Sequence, residues 1–167
     1  MVGGVEQLNL GCGDFYQEGW FNIEGNTQLK ADLHLDIRDG LPFDDSSVST
    51  VYCGHVLEHL NASDLAGVLR EIARVLKPSG HLWVVGPDYD RAISRNEPEQ
   101  ILAAIRGGEG RWDGDSHQWT ATAENTRQAL EPFFDVVEVD IMDTQGWPVV
   151  SRIGWQCAFD CQAIAAS

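Results

Sequence analysis

The chain has 167 residues, 43% of them hydrophobic, and a formal net charge of −15, so we expect one domain with a substantial core. The 11 basic residues are scattered, which disfavours a nucleic-acid partner, because nucleic-acid binding draws on clustered Lys and Arg. No apolar run approaches the roughly 20 residues that span a bilayer, and 1–6 lacks the features of a signal peptide, so we expect a cytoplasmic protein without membrane contact.

The first predicted strand covers 5–10 and is apolar enough to be buried on both faces. It ends in Gly11-Cys12-Gly13. Glycines lack a Cβ atom and allow a ligand to lie against the main chain, although an ordinary tight turn is the alternative for an isolated pair. Two further strands are predicted over 20–24 and 33–37, and each closes near an acid, Glu24 and Asp36.

A turn over 39–47 leads to a fourth strand at 48–52, which is followed at once by Cys53-Gly54-His55. The clearest helix of the sequence then begins at Asn61 or Ser63, either of which can cap it. Apolar residues at helical spacing give this helix a core-facing side, namely Leu65, Val68, Leu69, Ile72, Val75 and Leu76. Residues 77–80 contain Pro and Gly and end the helix, and a fifth strand is predicted over 81–85.

The remaining pattern is less regular. It predicts a short helix over 97–106, a Gly-rich segment over 109–120, a helix from Thr122 to about 131, and strands over 136–140 and 155–163. We interpret 1–167 as a single domain and 86–120 as its candidate substrate or lid region. Trp112 and Trp119 in that region either pack over the loop or shield a bound substrate.

Strands that alternate with helices predict an α/β fold with a mostly parallel sheet. In such sheets, ligands bind beyond the carboxyl ends of the strands. Glycines or polar residues follow each of the first five strands, at 11–13, 24, 36, 53–55 and 86–88. Because these ends meet at one edge of the sheet, the sequence predicts a ligand site there.

A dinucleotide is the first ligand to consider, since Gly-x-Gly after a first strand opens its binding fingerprint. The position of the third glycine in that fingerprint holds Tyr16. The first acid at a strand end, Glu24, also comes about ten residues after the glycines, where about 20 are expected. Both departures disfavour a nucleotide-binding oxidoreductase.

Five segments in this order and spacing resemble motifs of the class I S-adenosylmethionine-dependent methyltransferases, particularly the small type-11-like group. They are 8–13, 19–24, 36–44, 51–60 and 69–82. The resemblance implies a Rossmann-like, seven-stranded, mostly parallel sheet with strand order 3-2-1-4-5-7-6, flanking helices and no N-terminal cap. It also implies S-adenosylmethionine as cofactor and S-adenosylhomocysteine as product.

The resemblance implies which residues bind the cofactor. The loop after the first strand would hold the methionine end, Glu24 the ribose hydroxyls, and Asp36 with Ile37 the adenine. The full predicted set is Asn9, Gly11, Cys12, Gly13, Glu24, Asp36, Ile37, Cys53 and His55. The family commonly has an acid at the position of Asn9.

Methyl transfer needs a base only if the attacking atom must lose a proton. Our candidates are His55 after the fourth strand, His117 in the aromatic loop, and Asp88 after the fifth strand, where a turn cap is the alternative. We expect His59 to lie at the start of a helix.

The four cysteines form no C-x-x-C pair, so we expect reduced structural thiols and no metal site. We predict a methyltransferase that acts on a small-molecule or modest acceptor, with an O, N or C nucleophile. A non-catalytic subunit that only binds the cofactor is the alternative, and a second copy or a partner subunit could complete the substrate site.

Overall fold

The strands of the computed structural model are β1 Gln7–Leu10, β2 Phe21–Glu24, β3 Leu33–His34, β4 Val48–Gly54, β5 Leu76–Pro87, β6 Phe134–Val139 and β7 Gln156–Ala163. They form one sheet in the order β3-β2-β1-β4-β5-β7-β6. β1 to β5 run parallel to one another, whereas β7 is antiparallel to both β5 and β6. The predicted sheet order is therefore confirmed. The structure describes residues 4–96, 98–99, 101–102, 116–141, 144, 146–148 and 155–164.

The α-helices whose bounds lie within the described residues are α1 Ala62–Val75, α2 Tyr89–Ser94 and α3 Ala123–Leu130, and 3₁₀ turns occur at Ile37–Asp39 and Leu57–His59. The side chain of Asn61 caps α1 by accepting from the N–H groups of Ser63 and Asp64, and Thr122 caps α3. Both caps agree with the sequence prediction. Within the described residues, no helix has the length and apolar character that a membrane span requires. Trp112 and most of the helix predicted over 97–106 lie outside the described residues.

Two predicted strands differ from the structure by more than two residues at one end. The third strand is only two residues long, and Asp36 instead caps the following 3₁₀ turn by accepting from the N–H of Arg38. The fifth strand begins at Leu76 and not after 80, because Leu76 has extended dihedrals and pairs with Val48 of β4. Ser79 adopts a positive φ of 64° within a register shift of this strand pair.

The core lies between α1, α3 and one face of the sheet. Leu8 and Leu10 of β1 are fully buried, and the apolar side of α1 packs in the same cluster through Val68, Leu69, Ile72 and Val75. All four cysteines are free and buried, as the sequence predicted for structural thiols. Burial of this apolar surface is the main favourable contribution to folding.

Asn9 of β1 ties the strand to the loop that follows it. Its Nδ2 donates to the carbonyl oxygen of Phe15 (3.2 Å) and to Oδ1 of Asn22 on β2 (2.9 Å). Asn9 is 2% exposed and Asn22 is fully buried. Asn22 in turn donates from Nδ2 to the Asp32 carboxylate. An amide suits this place because both groups that face its nitrogen are acceptors.

We expect Asn9→Asp to lower the free energy of unfolding by about 1–3 kcal/mol or more, since a carboxylate cannot donate to these two oxygens and would be buried without partners. Urea unfolding followed by circular dichroism measures the loss. Asn26→Asp is the matched control, because Asn26 uses its side-chain oxygen to accept from the N–H of Gln28, and an aspartate retains that oxygen. Equal stability of the two variants would contradict the role of the Asn9 amide.

Candidate active site at the carboxyl edge of the sheet

The loop after β1 contains two glycines in the left-handed region, Gly11 with φ of 60° and Gly13 with φ of 53°. A Cβ atom on Gly11 would lie 2.5 Å from Cγ2 of Val56, so packing alone requires glycine there. A Cβ atom on Gly13 would have no atom within 4 Å. Gly13 therefore borders open space, and a ligand can approach its backbone closely.

Glu24 at the end of β2 holds the loop after β1 in place by a hydrogen bond. Its Oε2 accepts from the N–H of Gly13 at 2.7 Å, and its Oε1 accepts from the N–H of Asn26 at 2.8 Å. Glu24 is only 4% exposed. A carboxylate oxygen has room for more than one hydrogen bond, so Glu24 can also accept from a ligand.

Cys12 lies between the two glycines and is 4% exposed. Its backbone N–H donates to the carbonyl oxygen of Ile23 at 3.1 Å, which joins the loop to β2. Burial, and then the nearby charge of Glu24, raise the pKa of the Cys12 thiol to about 11. The thiol is thus a packing group in this loop and not a nucleophile.

Asp36 and Ile37 stand at the next strand end. The Asp36 carboxylate accepts from Nε of Arg38 at 2.9 Å, and this pairing is the largest cause of its lowered pKa. The adjoining loop is held by α1: Arg74 donates to the carbonyl oxygens of Leu41 (3.0 Å) and Phe43 (2.9 Å). The loop is therefore anchored to a helix of the core.

Cys53, near the end of β4, and His55, directly after it, are both predicted cofactor contacts. Cys53 is fully buried in the core, so its side chain faces away from solvent. His55 has a φ of 57°, and its backbone N–H donates to the carbonyl oxygen of Val85 at 2.8 Å. Its ring Nδ1 lies 3.0 Å from Oε1 of Glu58, and its Nε2 lies 2.5 Å from Nε2 of Gln156.

These contacts assign the tautomer of His55. The amide nitrogen of Gln156 can only donate, so Nε2 of His55 is the acceptor, and Nδ1 carries the proton that is donated to Glu58. A buried carboxylate that holds Nδ1–H in this way orients the ring and fixes its tautomer. His55 therefore presents an unprotonated Nε2 next to β7.

Glu58 is the residue that the sequence analysis missed. It is 2% exposed, and Nε2 of His117 lies 3.9 Å from its Oε1. Burial raises its pKa, but the hydrogen bond from His55 and the charges of the surrounding histidines outweigh burial, so the pKa lies below its ordinary value. A single Glu between Leu57 and His59, shortly before a predicted helix, gives no sequence signal of such burial.

The sequence also indicates Asp88 as a candidate base and Trp119 as a residue that either packs over its loop or shields a substrate. Asp88 is 3% exposed, caps α2, and has its Oδ2 2.9 Å from Nε of Arg91. It therefore acts as the turn cap that the sequence left open as an alternative. Trp119 donates from Nε1 to the carbonyl oxygen of Leu57 at 3.1 Å, so its indole packs on the segment after β4.

Cys12 should react slowly with iodoacetamide at pH 7–8, because a pKa of about 11 leaves only about 0.1% of the thiol as thiolate at pH 8. The rate should rise as the pH approaches that value for as long as the fold persists. Peptide mass spectrometry after timed labelling measures the modification, and the chain unfolded in guanidinium chloride is the control. Fast labelling of Cys12 in the native protein at pH 7–8 would contradict its environment.

Parts of this chain are similar in sequence to known proteins. Residues 22–84 match a family model described as a methyltransferase domain. A sterol 24-C-methyltransferase of Schizosaccharomyces pombe is 38% identical over 74 residues, which are 42% of this chain and 18% of that protein. The chain thus spans about a fifth of the length of this curated relative.

Solved structures share the fold. A S-adenosylmethionine-dependent methyltransferase of Archaeoglobus fulgidus matches with a TM-score of 0.63 and 16% identity, over 95% of this chain and 86% of that one. A methyltransferase in complex with the Haloferax volcanii Trm112 activator matches with a TM-score of 0.60 and 21% identity, over 96% and 83% of the two chains. Residues 22–84 thus resemble a methyltransferase domain, and the chain shares the fold of these solved methyltransferase structures.

Proposed function

We propose that this chain transfers a methyl group from S-adenosylmethionine to an O, N or C nucleophile of a small-molecule acceptor by in-line displacement. The observation that carries the proposal is the pairing of the Gly13 N–H with Glu24. This contact sets a glycine loop with open space above it next to a carboxylate, at the carboxyl ends of β1 and β2. Ligands of open α/β sheets bind at this edge.

The residues present suit the cofactor. The open backbone at Gly13 accommodates the methionine end, and Glu24 can accept from the two ribose hydroxyls while it holds the loop. Asp36 and Ile37 offer an acceptor and an apolar side chain for adenine. Asn9 and Cys53 are buried, so we assign them a structural role behind the loop after β1 and in β4. The proposed set of residues that contact the cofactor is therefore smaller than the set predicted from the sequence.

The cofactor supplies an activated methyl group on a sulfonium. The main task of the protein is therefore to align this methyl group with the attacking atom of the acceptor. Correct alignment of two reactants can contribute about 7–11 kcal/mol. The main-chain bonds that fix the segment after β4, such as His55 N–H to Val85, serve such positioning.

Among the candidate bases we favour His55. Its Nδ1–H is held by Glu58, which leaves Nε2 as the basic atom, and its side chain is 23% exposed. The His117 side chain is only 6% exposed, and Asp88 is bound by Arg91. For His55 to take a proton, Gln156 must release Nε2, which an approaching acceptor could bring about.

A non-catalytic subunit that binds the cofactor is the second candidate. One structural neighbour is a methyltransferase in complex with an activator protein, and this chain spans a small part of its curated relative. Binding of S-adenosylmethionine without turnover over a broad acceptor panel, with or without a second protein, would favour this function. A rise in melting temperature with NAD(H) would instead favour the oxidoreductase alternative.

Calorimetry should show binding of S-adenosylmethionine and S-adenosylhomocysteine, and Gly13→Ala should weaken both by about tenfold or more, because the new methyl group occupies space meant for the cofactor. The positive φ of Gly13 adds about 1–2 kcal/mol of strain, so the stability of the variant is measured in parallel. Gly67→Ala is the matched control, since Gly67 lies on α1 with open space around its Cβ position. Unchanged affinity in a folded Gly13→Ala variant would refute the placement of the cofactor.

Glu24→Gln should weaken cofactor binding by about 1–3 kcal/mol, as expected for the loss of charge-assisted hydrogen bonds. The variant should also unfold at lower urea, because one amide nitrogen would face the N–H of Gly13 or Asn26. Glu18→Gln changes an exposed carboxylate whose ion-pair partner, Lys30, is also exposed, and it should alter neither quantity. Cofactor affinity equal to that of the unaltered protein would contradict the ribose contact.

A further inference from the structure

Three side chains beyond β4 meet at one point, and we name Glu58, His59 and His117 the Glu-His-His cluster. One possible ligand atom from each lies within 4.8 Å of those of the other two. The two imidazole rings have their centroids 4.9 Å apart and stand nearly perpendicular, at 79°. Ring nitrogens and a carboxylate oxygen therefore surround a common volume.

Main-chain and indole contacts fix the two segments that build the cluster. The N–H of Gln118 donates to the carbonyl oxygen of Glu58 at 2.8 Å, and Nε1 of Trp119 donates to that of Leu57 at 3.1 Å. These bonds hold the stretch that carries His117 against the 3₁₀ turn that carries Glu58 and His59. The cluster is therefore preorganised, and this favours ion binding because little conformational freedom is lost when an ion binds.

Among the residues that the structure describes, no Lys or Arg forms an ion pair with the cluster. Nδ1 of His59 is buried and has no hydrogen-bond partner among the described residues. The carboxylate of Glu58 is nearly inaccessible, and its ion-pair partners in the described part of the chain are the histidines His55 and His117. A buried polar atom without a partner is unfavourable, and so is a buried carboxylate that no fixed cation faces. A metal ion would satisfy both groups.

The donor set matches one class of ion. Two imidazoles and one carboxylate with a further open position are the ligands of catalytic Zn²⁺ sites, and other divalent transition metals accept the same set. With ligand distances of about 2.0–2.2 Å, tetrahedral ligand atoms lie about 3.4 Å apart. The 3.9 Å between Nε2 of His117 and Oε1 of Glu58 needs only a small contraction to reach that spacing.

The surroundings of the cluster also suit a metal. Ligating carboxylates are themselves usually hydrogen-bonded, and Oε1 of Glu58 is 3.0 Å from Nδ1 of His55. The side chains of Glu58 and His117 are 2% and 6% exposed, so these two ligands are held largely out of bulk solvent.

We propose that Glu58, His59 and His117 bind a divalent transition-metal ion, Zn²⁺ before others, with the remaining coordination position open to water or to an oxygen of a bound molecule. This differs from the sequence-based expectation of no metal, which rested on the absence of C-x-x-C pairs. Glu58 and His59 are adjacent in the chain whereas His117 comes from a distant segment, so no local spacing reveals the set.

The test uses the full chain, stripped with a chelator and dialysed. Addition of ZnCl₂ alone should give one equivalent bound by mass spectrometry of the metal and a raised melting temperature. Addition of CoCl₂ should give the visible absorption of a nitrogen- and oxygen-ligated ion. His59→Gln and His117→Gln should each weaken binding by more than the roughly 10–100-fold that outer-sphere changes cause. His81→Gln is the matched control, since His81 pairs with Asp160 on β7, outside the cluster.

X-ray absorption of the Zn²⁺-loaded unaltered protein keeps the proposal testable if a variant does not fold. Scattering from imidazole with Zn–N of about 2.0–2.1 Å supports it, and Zn–S at about 2.3 Å would assign the ion to cysteines and overturn it. Failure to bind one equivalent, or equal binding by a folded His117→Gln, would overturn it too. Cofactor calorimetry on the same metal-free sample keeps this result separate from the proposed methyl transfer.

Discussion

The hydrogen bonds that the Glu24 carboxylate accepts from Gly13 and Asn26 join the loops after β1 and β2. Without them, the loop after β1 would depend on the Cys12 N–H bond to β2 and on the amide of Asn9. The two main-chain N–H groups satisfy both oxygens of this buried carboxylate. The same group thus joins two loops of this edge and places a carboxylate there.

The edge is organised as two halves with different polarity. On one side of β1, carboxylates and open backbone suit a nucleoside with a cationic centre. On the other side, beyond β4 and β5, histidines gather around Glu58 and next to Gln156. If a metal ion occupies the second half, the two halves place a methyl donor and an oxygen-polarising ion on adjacent strands of one sheet.

The sequence predicted the elements whose local signals agree with their tertiary environment. β1, α1 with its Asn61 cap and α3 with its Thr122 cap are of this kind, because periodicity and capping chemistry both indicate them. The third strand was overpredicted since Asp36 prefers to cap a turn, and the start of β5 at Leu76 depends on pairing with β4. The burial of Glu58 and its meeting with His117 arise only from tertiary packing, which a single sequence does not encode locally.

The position of β7 in the sheet has a consequence for how the chain acquires its structure during synthesis. β7 pairs along its length with β5 on one side and β6 on the other, although it follows both in the chain. Until residues 156–163 have emerged from the ribosome, one edge of β5 has amide and carbonyl groups without hydrogen-bond partners from β7. β6 has no neighbouring strand at that stage. The nascent chain is therefore open to pairing with other strands, including those of neighbouring nascent chains, until β7 has been synthesised.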